Sequence, residues 1–324
     1  MRSFVWVVRA FVWMFVFTGL LQGEELSIYA IQYTDDPNGT SPQNGNIVGC
    51  RGGIVIHKWL GGRPRLTLYD PNYPTGWGGI MVKDLYSVGA FTDVNVGDWV
   101  TLTNVQVEDF RGTTFLQYEG ENDPNLQIVS RDNVMPEPLV VQVSEIAAPI
   151  EEIDKWVVAD HSAEKYEAML IKVVDVNVVD LGYGKAYDNY ILRSNRDPNL
   201  ECWASDYMNE DREAIYHPYV QIGQRFCGVT GILEQYTAET DGIYYDYYQL
   251  LTTTTTDFLV EQYGDLNYDC GVDFFDFALF AGQWLTGQQC GMPDWCGGAD
   301  LTKNGSVDWL DLWDFSEEWL QGGI

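Results

Sequence analysis

From Leu26 to about Val129 the apolar residues fall in short runs rich in Val, Ile, Tyr and Thr, broken by turn clusters such as Asp36-Pro37-Asn38-Gly39 and Asp70-Pro71-Asn72. Such spacing predicts strands over Ser27–Tyr33, Asn46–Trp59, Arg65–Tyr69, Gly78–Val82, Trp99–Asp109 and Thr113–Tyr118. With a Gly97-Asp98 turn ahead of a long strand, they suit a small closed barrel over 25–130. A proline-bearing joint, Met135-Pro136-Glu137-Pro138, precedes a second stretch over 138–260. In the last part, 263–322, the period becomes helical. Phe277, Phe280 and Trp284 in Phe274–Leu285, and Leu310, Trp313, Phe315 and Trp319 in Trp309–Leu320, are spaced as core faces. The fold class expected is mostly β with a small α domain at the C-terminal end. The run Thr252–Thr256 reads as a loop or a late strand.

The first residues have a different pattern. Arg2 and Arg9 precede the apolar run Phe11–Leu21, the layout of a secretory signal peptide over 1–23. The rival is an uncleaved signal anchor, because Leu20, Leu21 and Gln22 offer no small-x-small cleavage site. No later segment is apolar for long enough to cross a bilayer, so no membrane contact is expected once the signal is removed. The chain should then be secreted or held at the cell surface.

Composition sharpens this picture. Of 324 residues, 18 are basic and 48 acidic, a formal net charge of −30, which argues against nucleic acid and anionic lipid as partners. Apolar residues at 46% and aromatics at 14% exclude a disordered acidic tail. Six cysteines in an exported chain make disulfides an expectation. Cys202 with Cys227, and Cys270 with Cys290 or Cys296, are the pairs in view, and Cys50 has no near neighbour.

The acidic residues are most informative near the C-terminal end. Two 12-residue loops, 265–276 and 300–311, place oxygen-bearing side chains at positions 1, 3, 5, 9 and 12. Ca²⁺ takes six to eight hard oxygen ligands, and a loop of this length wraps it when alternate residues turn inward. In the first loop Asp265, Asn267, Asp269, the Gly271 carbonyl, Asp273 through water and a bidentate Asp276 are the ligands. In the second the same roles fall to Asp300, Thr302, Asn304, the Ser306 carbonyl, Asp308 and Asp311. Two calcium ions are therefore expected. The first loop brings four carboxylates and the second three, so the first should bind more tightly. Val272 and Val307, at position 8, are expected to pair the loops through a short strand contact.

Several of these residues are familiar together. Ile31-Gln32-Tyr33-Thr34, Ser41-Pro42, Gly45, Gly53-Ile54-Val55 and Trp77-Gly78-Gly79-Ile80-Met81-Val82 resemble the OB-fold domains that accompany secreted bacterial nucleases. The segment Glu164–Val173 resembles the opening of a second such domain, which continues through Gly223, Cys227-Gly228-Val229-Thr230-Gly231 and Tyr244–Leu251. The resemblance implies two tandem OB-like β-barrels and a bacterial extracytoplasmic setting. Gly264–Leu320 resembles a type I dockerin, the module that docks secreted enzymes onto cohesins. That implies a cohesin-like or other protein partner. Cys270 stands where such loops have glycine, and positions 10 and 11, often Ser-Thr in cellulosomal dockerins, hold Phe274-Phe275 and Trp309-Leu310.

No catalytic constellation stands out. Three histidines, His57, His161 and His217, form no metal-binding pair, and there is no nucleophile elbow or phosphate-binding glycine loop. Asp160-His161 reads as an exposed loop pair. A glycosidase needs only two carboxylates, but 48 acids make any pair uninformative. The main reading is thus a secreted, non-catalytic, calcium-binding protein, its barrels a binding or scaffold module. The alternatives are a part in extracellular polysaccharide degradation, with a polysaccharide ligand stacked on exposed rings, or extracellular nucleic-acid binding. The last would use Tyr69, Tyr73 and Trp77 beside the small basic patch Lys58, Arg63 and Arg65.

Overall fold

The computed structural model describes residues 25–61, 64–84, 91–118, 125–182, 189–208, 220–260, 262–267, 269–285, 289–292 and 294–319. The signal-peptide segment, Arg63 and His217 lie outside these residues.

The first sheet contains β1 (Glu25–Leu26), β2 (Ile47–Trp59), β3 (Arg65–Tyr69), β4 (Gly79–Asp84), β5 (Trp99–Phe110), β6 (Thr113–Tyr118) and β7 (Leu126–Ser130). Its order is β1-β2-β3-β4-β6-β5-β7, and a further pairing of β2 with β5 closes β2 to β6 into a five-strand barrel. Alternation along β3 and β4 turns Leu66, Leu68, Ile80 and Val82 into this core. The strand expected over Ser27–Tyr33 is instead a helix, α1 (Ile28–Gln32). Ser27 caps it by accepting from Ala30 N–H at 3.2 Å, and the three-residue spacing of Ile28 and Ile31 then buries both. A cap and a helical spacing outweigh β propensity here.

The second sheet contains β8 (Leu139–Val140), β9 (Ile150–Glu152), β10 (Lys155–Val157), β11 (Leu170–Leu181), β12 (Asn189–Ser194), β13 (Glu201–Ser205), β14 (Arg225–Thr240), β15 (Ile243–Leu251) and β16 (Phe258–Val260). Here β11-β12-β13-β15-β14 closes through β14–β11, and β13 runs parallel to β15 as β4 runs parallel to β6. The two barrels therefore have one topology. The threonine run ends in a short 3₁₀ turn, Thr255–Asp257, with Asp257 accepting from Thr253 and Thr254 N–H.

The barrels are fused along a broad face. Outward side chains of the first, Ile54, Ile56 and Tyr69, share a buried cluster with the second barrel's core. Met81 and Phe115 pack in another with Ala168, Met208, Ile232 and Leu251. The approach is close enough at Gly79 that a Cβ there would stand 2.3 Å from the Ala168 carbonyl, so no other residue fits.

The C-terminal part holds α2 (Phe274–Gln283) and α3 (Trp309–Glu317) over a small core of Leu266, Val272, Phe280, Leu301, Val307 and Phe315. Val272 and Val307 meet by packing in this core, and no strand ladder joins them among the described residues. None of the pairings in view forms: Cys290 is bonded to Cys296 rather than either to Cys270, and Cys227 is bonded to Cys270 rather than to Cys202. Cys202 and Cys50 are buried free thiols. Alternation on β13 points Cys202 into the barrel core, away from Cys227's partner, and burial raises both free thiols to about 12.

Candidate functional site

The two loops repeat one arrangement. Asp265 at position 1 accepts from Asp269 N–H at 3.1 Å and Cys270 N–H at 2.9 Å, and Asp300 accepts from Asn304 and Gly305 N–H at 3.0 and 2.9 Å. Asp276 at position 12 accepts from Leu266, Asn267 and Asp273 N–H, and Asp311 from Thr302 and Asp308 N–H. All four of these carboxylates are buried. Asp273 and Asp308 at position 9 cap α2 and α3 by accepting from Phe275 and Leu310 N–H. The helix start thus fixes the last third of each loop.

Position 3 and 5 side chains hydrogen-bond within the loops. Asn267 accepts from Asp269 N–H at 2.8 Å, and its amide donates to the Asp269 carboxylate. Thr302 donates its hydroxyl to Asp311 at 2.8 Å, and Asn304 accepts from Ser306 N–H and Oγ–H. In the first loop, oxygens of Asp265, Asp269 and Asp276 lie within 4.8 Å of one another. Burial, with Asp276 and Asp269 beside it, raises Asp265 to about 6. Converging buried carboxylates whose hydrogen-bond donors are neutral amides leave negative charge uncompensated, and a hard cation fits that donor set.

The exposed faces of the helices are apolar. Phe274 and Phe275 are each 73% exposed, Trp309 is 66% and Trp313 62%. Phe280 and Phe315 take the core positions expected of them, but Trp313, Leu310 and Phe277 face solvent.

A second candidate site lies between the barrels. A cleft of about 470 Å³ is lined by Phe110 and Phe115 of one barrel and by Tyr207, Tyr236, Tyr245 and Tyr247 of the other. Arg65 and Arg111 stand among these rings. Arg65 lies over Trp59, Phe115 and Tyr207 and is ion-paired with Glu234 at 3.1 Å. Arg111 lies over Phe110 and Tyr236 and donates to the Tyr236 hydroxyl at 2.8 Å. Of the patch read from Lys58, Arg63 and Arg65, Arg63 lies outside the described residues, Lys58 donates to the Val94 carbonyl and Arg65 points into the cleft. Of the rings put forward with it, Tyr69 is buried, while Tyr73 stacks on Tyr29 beside Tyr33 and Trp77. Sequence reasoning missed the cleft, since its residues come from strands far apart in the chain.

The seam between the barrels also buries carboxyls. Glu167 accepts from Gln32 Nε2 and Thr114 N–H, and Glu164 from the Tyr248 hydroxyl. Burial, then nearby acids, raise both well above the ordinary carboxylate range. His161 is not an exposed loop residue: its ring meets Tyr248 Oη at 3.0 Å, Gln235 Nε2 at 3.1 Å and Asp246 Oδ2 at 3.4 Å. His57 is buried, and burial lowers it to about 4.

No family model matches this chain, and no curated protein does. Solved structures do. One of Schizosaccharomyces pombe Pot1pC bound to ssDNA is 15% identical, covers 27% of this chain and 81% of that one, and has a TM-score of 0.23. Fission yeast Pot1 with ssDNA is 13% identical over 70% of this chain and 84% of that one, with a TM-score of 0.27. A replication protein A heterotrimer bound to ssDNA is 10% identical over 76% and 71%, with a TM-score of 0.22. At these scores the likeness brings no ligand to this chain. The expectation that nucleic acid is an unlikely partner is nevertheless corrected: the three structures named are complexes with ssDNA, and it is the cleft's own charge, not the chain's, that bears on such a partner. The physical flaw in that expectation was to average charge over the whole chain, when among the described residues two arginines and one carboxylate line the cleft. Among the described residues no helix is long and apolar enough to cross a membrane.

Proposed function

We propose that this is a secreted, non-catalytic binding protein in which two OB-like barrels form one scaffold and the C-terminal loops bind two calcium ions, forming a dockerin-like module that docks a protein partner. The observation that supports it is the repeated loop geometry, in which position 1 accepts from the N–H groups of positions 5 and 6 and position 12 from that of position 3. Asp265, Asn267, Asp269, Gly271, Asp273 and Asp276 would hold one ion, and Asp300, Thr302, Asn304, Ser306, Asp308 and Asp311 the other. Calcium would supply the positive charge that the buried acids lack and tie each loop to its helix. The exposed Phe274, Phe275, Trp309 and Trp313 then form an apolar docking face, unlike the polar one of cellulosomal dockerins. Calorimetric calcium titration of the full chain should give two sites, with Asp276→Ala removing the tighter one. Loss of the tighter site in Asp311→Ala instead would reverse the assignment, and no binding at all would end the reading.

The cleft favours a second reading for the barrels, a segment of single-stranded nucleic acid. Rings that stack bases beside guanidinium groups are what such a segment needs. Fluorescence titration with a single-stranded oligonucleotide at low salt should saturate, weaken steeply as salt rises and weaken severalfold in Arg111→Ala. Absence of binding at low salt, with retention of a neutral polysaccharide, would assign the cleft to sugars.

A further inference from the structure

The sixth position of both loops takes a left-handed backbone, with φ +99° at Gly305 and +77° at Cys270. In both, the N–H of this residue donates to the position 1 carboxylate at 2.9 Å. Glycine adopts that conformation without strain, but a residue with a Cβ does not. Something must hold Cys270 there, and the bond to Cys227 does so. Cys227 sits in β14, whose neighbours Phe226 and Gly228 pair with Val176 and Val174 of β11, so the anchor belongs to a rigid ladder. A second tie, from Arg196 to the Asn267 carbonyl at 3.4 Å, is itself braced by the Arg196–Asp175 ion pair at 2.9 Å. The second loop shows no bond to the barrels among the described residues, and its Cys290–Cys296 disulfide is internal to the segment between the helices.

We infer that Cys227, a barrel residue, is a positioning residue for the first cation site: through its disulfide it holds Cys270 in the left-handed conformation that aims Asp265 and its neighbours at the ion. This rests on the calcium reading above, and it makes the barrel wall part of the site. The glycine found at this position in the second loop is replaced by a cysteine plus a covalent brace.

The test is calcium calorimetry on the full chain, with the first site isolated in an Asp311→Ala background and the second in Asp276→Ala. Cys227→Ser should weaken the first site about tenfold, because Cys270 is then free to leave the left-handed region, and should leave the second unchanged. Adding Cys270→Gly to Cys227→Ser should restore the first site to within about threefold, since glycine needs no brace. A structural role limited to fastening the module would not give that rescue. Unchanged affinity in Cys227→Ser, or no recovery in the double variant, would overturn the inference. Failure of the calcium reading would look different, since the untouched second loop would then bind nothing either. Barrel melting followed in the same variants shows whether the fold is intact.

Discussion

The barrels and the C-terminal module are held together by opposite means. Each barrel closes its own sheet around aliphatic side chains, and the seam between them is filled by Met81, Phe115, Ile232 and Leu251. The module has a small core around Phe280 and Phe315, and much of its remaining organisation is carboxylate oxygens gathered on backbone N–H groups. The first kind of region is complete in itself. The second concentrates carboxylates, and on the calcium reading proposed above its stability should follow calcium while that of the barrels should not.

The sharpest test of this contrast is removal of calcium. With EDTA the helicity of α2 and α3 should be lost reversibly while the β signal of the barrels persists, as read by circular dichroism across a calcium titration. Equal loss in both regions would break the comparison. Next in size, Phe115→Ala should cost about 3–5 kcal/mol of barrel stability in denaturant melts, by leaving a cavity in the seam, and should leave calcium affinity unchanged.

A smaller effect is expected from pH. Glu164 is raised to about 8 by burial, with the nearby Asp109 and Asp246 adding to it. A carboxyl raised in the folded state makes its contribution in the protonated form, fully present below the ordinary carboxylate pKa and lost as pH climbs through about 8. Barrel melting temperature should therefore fall from pH 5 to pH 9, and Glu164→Gln, which stays neutral, should flatten that slope. The smallest change in stability, within about 0.5 kcal/mol, is expected from Trp313→Ala on the exposed face of α3. The same variant should lose most of the calcium-dependent capture of a docking partner. Full capture would move the docking surface elsewhere.

Local features were legible in the sequence and relations between distant residues were not. The strands Arg65–Tyr69 and Thr113–Tyr118 were readable to the residue because turn residues bound each of them. The acidic loops could be put forward from the sequence because a calcium loop is defined by spacing within 12 residues. Ser27–Tyr33 misled, since five residues with one cap satisfy a helix as readily as a strand. The Cys227–Cys270 bond links residues 43 positions apart, and no spacing rule favoured it over Cys202–Cys227. The cleft was beyond reach for the same reason, since Arg65 and Glu234 become neighbours only when both barrels have closed and met.

The seam has a further consequence in time. A ribosome delivers the first barrel before the strands that cover it, and Ile54, Tyr69, Met81 and Phe115 stay bare until Leu251 has been made. At about 5–20 residues per second that interval is on the order of ten seconds, long compared with the folding of a small barrel. During it the nascent chain presents a sticky half-interface to every neighbouring chain. A gene fragment ending near Ser130 would make that interval permanent, and its product should collect in inclusion bodies, whereas one ending near Val260 should be soluble.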